Sequence, residues 1–330
     1  MRSLRYVLHG LAAAAGFAIL SHVGFAFAAD PPAEPRKDAV LRGDAKCTRC
    51  HDESEEYPVL AIGKTRHGTV ADGRTPSCTN CHGESDTHIN KPEGATERPA
   101  PDRVYRGARR SPSAKLNEAC LTCHQADAKR SHWEGSQHWN ADVACTNCHQ
   151  IHTQHDAVRD KLTQPDVCFA CHKEQRTQIQ KPSRHPIPEG KMGCSDCHNP
   201  HGSVGPKLMK RDSVNDTCYT CHMEKRGPFV HVHEPVAEDC SNCHNPHGTV
   251  VENLLKVRPP MLCHQCHTPH GAQVGQIAGQ GQPSGLLSGT TSGKSGINYF
   301  MARGCLNCHT QIHGTNNPST TNPTPQFNFR

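Results

Sequence analysis

Apolar residues are scarce in this 330-residue chain: 34% are hydrophobic and 5% aromatic. A composition this poor in carbon cannot bury enough apolar surface to offset the ordering entropy of the backbone, which excludes an ordinary globular core. Glycine (27) and proline (25) are frequent enough to interrupt regular elements throughout. Beyond the first 28 residues no stretch approaches the ~20 apolar residues of a membrane helix. A strong excess of one charge is also missing. The formal net charge is +5, and the basic run from Arg103 to Lys115 reads as a solvated or anion-facing surface more readily than as a nucleic-acid footprint. No cysteine stands alone, and thioredoxin-type redox chemistry lacks the βαβ pattern it requires.

The amino terminus reads as an export signal. Arg2 and Arg5 give the positive start, an apolar run extends from Leu11 to Leu20, and Ala26-Phe27-Ala28 offers a small-x-small cleavage site. The alternative is a retained anchor. Ser21 and His22 interrupt the apolar stretch, which favours removal.

All 20 cysteines fall into ten C-x-x-C pairs, each followed at once by histidine. They are Cys47/Cys50/His51, Cys78/Cys81/His82, Cys120/Cys123/His124, Cys145/Cys148/His149 and Cys168/Cys171/His172. The second five are Cys194/Cys197/His198, Cys218/Cys221/His222, Cys240/Cys243/His244, Cys263/Cys266/His267 and Cys305/Cys308/His309. Structural zinc uses C-x-x-C pairs but has no need of a histidine after each one. A disulfide framework requires neither the fixed spacing nor the histidine. The pattern is the attachment signature of c-type haem: two thioethers hold the porphyrin edge and the histidine becomes the proximal iron ligand.

Ten macrocycles change the reading of the composition, because roughly one haem per thirty residues supplies the missing core, and the chain without them is expected to be unfolded. The fold class expected is a multihaem cytochrome c, mostly irregular with short α-helices, a haem-built core and an elongated haem wire of repeated units. Without Arg2 and Arg5 the chain has 34 basic and 31 acidic residues. Twenty ionised propionates would bring the loaded protein to roughly 17 negative charges, so the basic residues read as propionate partners.

Successive motifs are separated by 31, 42, 25, 23, 26, 24, 22, 23 and 42 residues. The middle of the chain repeats in pairs of motifs, the pattern of a linear array. The expected organisation is a signal peptide (1–28), a flexible leader (29–45), a single decahaem domain (46–314) with a Gly/Ser-rich loop (271–297), and a polar tail (315–330).

A six-coordinate iron needs a second axial ligand. Beyond the ten proximal histidines and the two in the signal, 14 remain, and ten occupy recurring positions. These candidate distal ligands are His67, His88, His138, His152, His185, His201, His233, His247, His270 and His313. The other four, His132, His155, His231 and His264, share no such pattern; His233 and His138 are preferred because each stands seven residues before the next cysteine. His152, His201, His247 and His270 each follow a proximal histidine by three residues. They leave from one side of the porphyrin and are expected to reach a different haem. Glycine after His67, His201, His247, His270 and His313 is expected to let backbone pass close to a macrocycle or turn sharply. The methionines share no recurring position and are discounted as ligands.

Several connecting phrases carry a resemblance: Lys46-Cys-Thr-Arg-Cys-His-Asp-Glu, Gly63-Lys-Thr-Arg-His-Gly-Thr, Asp239-Cys-Ser-Asn-Cys-His-Asn-Pro-His-Gly and Gly304-Cys-Leu-Asn-Cys-His-Thr-Gln-Ile-His-Gly. With the motif series they resemble the DmsE/MtrA family of periplasmic decahaem cytochromes, over about residues 40 to 317. The resemblance implies bis-histidine haem c in a long wire, inserted in an outer-membrane β-barrel porin. It implies an extracellular multihaem cytochrome or terminal reductase at one end and a periplasmic or inner-membrane cytochrome at the other. The expected function is therefore electron conduction across the outer membrane, for iron oxidation or for reduction of metal or another external acceptor. A soluble periplasmic shuttle is the alternative. A multihaem reductase would need an open iron position, and ten regular motifs with ten spare histidines offer none.

Overall fold

The first cysteine of every motif sits on a short helical turn, and the reason is local. In a helix, positions i, i+3 and i+4 share one face, so the turn presents both cysteines and the histidine together. In eight motifs the histidine N–H closes the turn on the first cysteine's carbonyl at 2.8 to 3.0 Å; the other two lie inside the helices Cys78–His82 and Ser113–His124.

These features come from a computed structural model that describes residues 44–52, 54, 58–68, 75–267, 304–307 and 309–316. The signal, all but the end of the leader, the 271–297 loop, the tail beyond 316, His270 and Cys308 lie outside those residues. The described residues all belong to one compact unit, Val40–Arg330. Among them helices are short, the longest being the 12-residue Ser113–His124. No strand occurs among them; the only β pairings there are isolated bridges such as Ser183 with Thr249 and His231 with Thr315.

The helices alternate in how they carry their motifs. Odd-numbered motifs begin near or after the middle of a helix, as in Ser113–His124, Gln164–Cys168 and Val214–Tyr219. Even-numbered motifs open the turn instead, as in Cys78–His82, Cys145–Cys148 and Cys194–Cys197. This difference leaves room ahead of the first, third, fifth and seventh motifs for a buried polar residue that clamps the next motif. Asp44 accepts from the Cys78 N–H at 3.1 Å, and Asn117 from Cys145 at 2.8 Å. Gln164 accepts from the Ser195 N–H at 3.0 Å, and Asn215 from Cys240 at 2.7 Å. All four residues are buried. They satisfy backbone donors at helix starts that no local residue serves.

Protein side chains contribute a very small core. Buried hydrophobics among the described residues are few, and the one cluster they form is Phe169, Ile179 and Ile187, with Met192 packed against it. Buried polar residues are at least as numerous as apolar ones, the reverse of an ordinary domain.

Close chain crossings account for the glycines. A Cβ on Gly202 would run into the carbonyl of His132, and one on Gly248 into that of Gln178, while both glycines have positive φ (109° and 144°). The sequence suggested a macrocycle or a sharp turn at these glycines; the positive φ is that of a turn, taken where another segment of the chain passes close.

Asn215 makes three bonds, donating to the Val236 and Ala237 carbonyls at 2.8 and 3.1 Å as well as accepting from Cys240. Asn215→Ala should lower the stability of the mature protein by about 2 kcal/mol, since it strands buried backbone groups. Denaturant unfolding followed by near-UV and visible absorbance measures this.

Candidate haem sites

The cysteines line up in an order that follows the sequence. First cysteines meet within a pair of motifs: Cys47 lies beside Cys78, Cys120 beside Cys145, Cys168 beside Cys194, Cys218 beside Cys240 and Cys263 beside Cys305. Second cysteines meet between pairs: Cys81 lies in electrostatic range of Cys123, Cys148 of Cys171, Cys197 of Cys221 and Cys243 of Cys266. Every motif therefore abuts the one before it and the one after it, through alternating ends of the C-x-x-C turn. No disulfide joins the described cysteines. Asp44, Cys47 and Cys78 bring three potential metal donors together, but the Asp44 carboxylate already serves the Cys78 N–H.

Burial divides the predicted thioether positions in a way the sequence did not suggest. Cys50 is exposed, and so are Cys123, Cys171, Cys221 and Cys266, the second cysteines of the other odd motifs; the remaining described cysteines are partly buried. The polypeptide by itself leaves these five sulfurs on its rim. Helix ends coincide with this exposure in four of the five odd motifs. In four odd motifs the helix stops before the second cysteine, at Ala45–Thr48, Gln164–Cys168, Val214–Tyr219 and Met261–His264. The second cysteine is left on the open end of the turn. Cys50 also belongs to the first motif, so no earlier motif stands against it.

The histidines meet in pairs. His51 faces His88 with ring centroids 6.0 Å apart, His67 faces His124 at 5.9 Å, and His82 faces His152 at 6.3 Å. His149 stacks opposite His201 at 6.1 Å, His138 meets His172 at 6.1 Å, and His198 stacks opposite His247 at 6.2 Å. His185 faces His222 at 6.3 Å, His244 faces His313 at 6.2 Å, and His233 faces His267 at 5.9 Å. Each pair joins one C-x-x-C-H histidine to one of the candidate distal histidines. The spacing fits an iron: with metal–nitrogen bonds of about 2.0 Å and about 1.1 Å from ring nitrogen to ring centre, two axial imidazoles stand about 6.2 Å apart.

The partners are remote in sequence. His152 faces His82 rather than His149, three residues away, and His201 and His247 likewise face His149 and His198. From the third motif on, odd-numbered motifs pair with a histidine from the segment after the motif two places earlier. Even-numbered motifs, as far as the eighth, pair with a histidine after the motif two places later.

Hydrogen bonds set the orientation of many rings. Nδ1 of His88, His138 and His185 donates to the carbonyls of Pro99, Pro200 and Pro246, each at 2.8 Å. His152 donates to Val59 and His198 to Lys207 at 2.9 Å, and His244 to Asn253 at 2.8 Å. A carbonyl can only accept, so the proton is fixed on Nδ1 and the Nε2 lone pair is left for a metal. Burial pushes His67, His82, His124, His198, His233, His244, His247 and His313 below the usual imidazole value, and His201 down to about 4. These rings are neutral near pH 7, as ligands must be.

The four remaining histidines are occupied differently. His231 forms a backbone bridge with Thr315, and the His132 carbonyl packs against Gly202. His155 approaches Asp160 at 3.8 Å, and His264 Nδ1 lies 3.3 Å from the His267 carbonyl. Sequence reasoning missed the four clamp residues and Asp156, whose carboxylate takes the His149 Nδ1 proton at 2.7 Å. The clamps stand three or four residues before an odd motif, a faint signal that becomes readable only once the contacts are known.

Ten thioether turns threaded on a common order of neighbours, with imidazole pairs spaced for iron, define a multihaem c-type cytochrome carrying covalent haem c. Comparison with known proteins agrees. Residues 185–227 and 233–272 match the doubled CXXCH motif family, and residues 78–162 match the NrfB-like cytochrome c-type proteins. Multiheme cytochrome MtrA of Shewanella baltica (strain OS185) is 43% identical over 282 residues, covering 84% of this chain and 80% of that protein. Cytochrome c-type protein NrfB of Escherichia coli O6:H1 (strain CFT073) is 30% identical over 147 residues, 38% of this chain and 73% of that one. The chain belongs to the MtrA family of multihaem cytochromes, and is an electron-transfer protein rather than an enzyme.

Intact-mass analysis of the mature protein should give the polypeptide plus ten haems, and alkylation after denaturation should find no free thiol, the exposed Cys50 included. A missing haem or a reactive cysteine would leave a motif without its thioethers.

Proposed function

We propose that the protein conducts electrons across the outer membrane from inside a β-barrel porin, between a periplasmic or inner-membrane cytochrome and an extracellular multihaem cytochrome or terminal reductase. The observation that carries this reading is the unbroken succession of motif contacts from Cys47 to Cys305. Bound haem supplies a reversible one-electron ferric/ferrous couple at each site. The chain's residues hold those couples side by side and close the axial positions to substrate.

The proposed ligand pairs are the nine facing sets of rings. His270, after the ninth motif, is assigned to His309 of the tenth. It is the counterpart at this end of His88, after the second motif, which faces His51 of the first. Every iron then has two imidazoles, which favours transfer over chemistry at the metal.

Physics and the family resemblance together support a porin partner. No described helix is long and apolar enough to cross a membrane. Irregular backbone at membrane depth must be sheathed by protein. A file of ten sites is long enough for a hydrocarbon core of about 30 Å. The proposed domain is a single decahaem unit over 46–314, after a cleaved signal at 1–28.

Detergent extracts of native membranes should yield the protein together with a barrel protein and an outward-facing cytochrome; recovery only from the soluble periplasmic fraction would favour the shuttle. His201→Ala should convert one low-spin haem to high-spin, read by electron paramagnetic resonance. His132→Ala and His155→Ala should leave all ten low-spin.

A further inference from the structure

The internal repeat supplies its own comparison. At the sixth and eighth motifs the proximal ring donates from Nδ1 to the backbone carbonyl nine residues on, Lys207 for His198 and Asn253 for His244. The fourth motif departs from this rule. His149 Nδ1 meets the Asp156 carboxylate Oδ2 at 2.7 Å. The carboxylate is held from its other oxygen by the Gln150 backbone N–H at 3.2 Å, and the Asp156 side chain is only 15% exposed. Among the described residues His149 is its one ion-pair partner. The distal rings His88, His138, His152 and His185 all donate to backbone carbonyls.

We propose that Asp156 is a positioning residue that gives His149 imidazolate character and so lowers the reduction potential of the fourth haem below those of the equivalent sixth and eighth. This rests on the reading that His149 and His201 hold one iron. An anion that accepts the Nδ1 proton draws it from the ring and leaves Nε2 richer in electrons. The more basic ligand favours ferric over ferrous iron, whereas a neutral carbonyl does this far less. The side chain is well placed for the effect, because its partial burial limits the screening that water would provide. The consequence is a raised step for the electron in the first half of the chain of sites.

The test is a spectroelectrochemical titration of the full haem-loaded protein, wild type against Asp156→Asn and Asp156→Glu. In Asp156→Asn about one tenth of the haem absorbance change should move to higher potential, with the rest superimposable. Asp156→Glu should restore the wild-type curve. An unchanged Asp156→Asn curve, or a shift shared by all the haems, overturns the proposal. Should Asp156→Asn mature with fewer than ten haems, the wild-type ferric protein decides. One low-spin resonance in about ten with the compressed g-spread of an imidazolate ligand supports the proposal, and ten ordinary bis-imidazole resonances overturn it. A high-spin signal in the wild type would overturn the His149/His201 assignment itself, so the two failures are distinguishable.

Discussion

Everything in this molecule depends on pairs of imidazoles facing one another across a gap the size of an iron atom and its two bonds. Protein side chains alone bury very little: the one apolar cluster among the described residues contains Phe169, Ile179 and Ile187. Short helical turns of four to six residues have no independent stability in water. On the proposed ligand pairs, what joins them is ligation between segments far apart in sequence, such as those whose rings face one another at His82 and His152 or at His244 and His313. In a chain so poor in carbon, the metal bonds take the place of a core, as they do in small metal-dependent domains.

The ligation pattern also explains why no internal domain boundary is visible. Odd motifs reach backward and even motifs forward, so any cut through the middle of the chain severs several pairs. The backbone reinforces the same crossings. Ser183 bridges Thr249 beside the His247 ring, while His185 bonds to Pro246 from the neighbouring segment. The buried clamps act across shorter distances, with Asn117 and Asn215 tying each odd helix to the turn that follows. Two kinds of stitch, one short and one long, hold successive sites at fixed separations.

Much of this was legible in the sequence because thioether chemistry fixes spacing rigidly: two cysteines and a histidine must share one helical face. Exposure was not, since Cys50 and Cys81 carry the same motif yet differ in burial. The candidate distal histidines were legible as a set because they recur within the repeat, and nine of them face a motif ring. Their partners were not. Which proximal ring His201 faces is decided by where remote segments cross, and no local spacing records that. The clamp residues were hidden for a different reason. Asp44, Asn117, Gln164 and Asn215 perform one task with three residue types, because a backbone N–H asks only for an oxygen. The glycine after several candidate distal histidines signalled a close approach or a sharp turn, and at Gly202 and Gly248 the chain takes a positive φ against neighbouring peptide backbone. Asp156 looked like any surface carboxylate until the His149 ring was placed beside it.

Long-range axial ligation is the central claim, and an experimental structure of the haem-loaded protein tests it most directly. The account predicts that the iron at His149 is bound by His201, that at His198 by His247, and that at His309 by His270. An iron bound by the histidine three residues beyond its own motif, or one lacking a second imidazole, would contradict it.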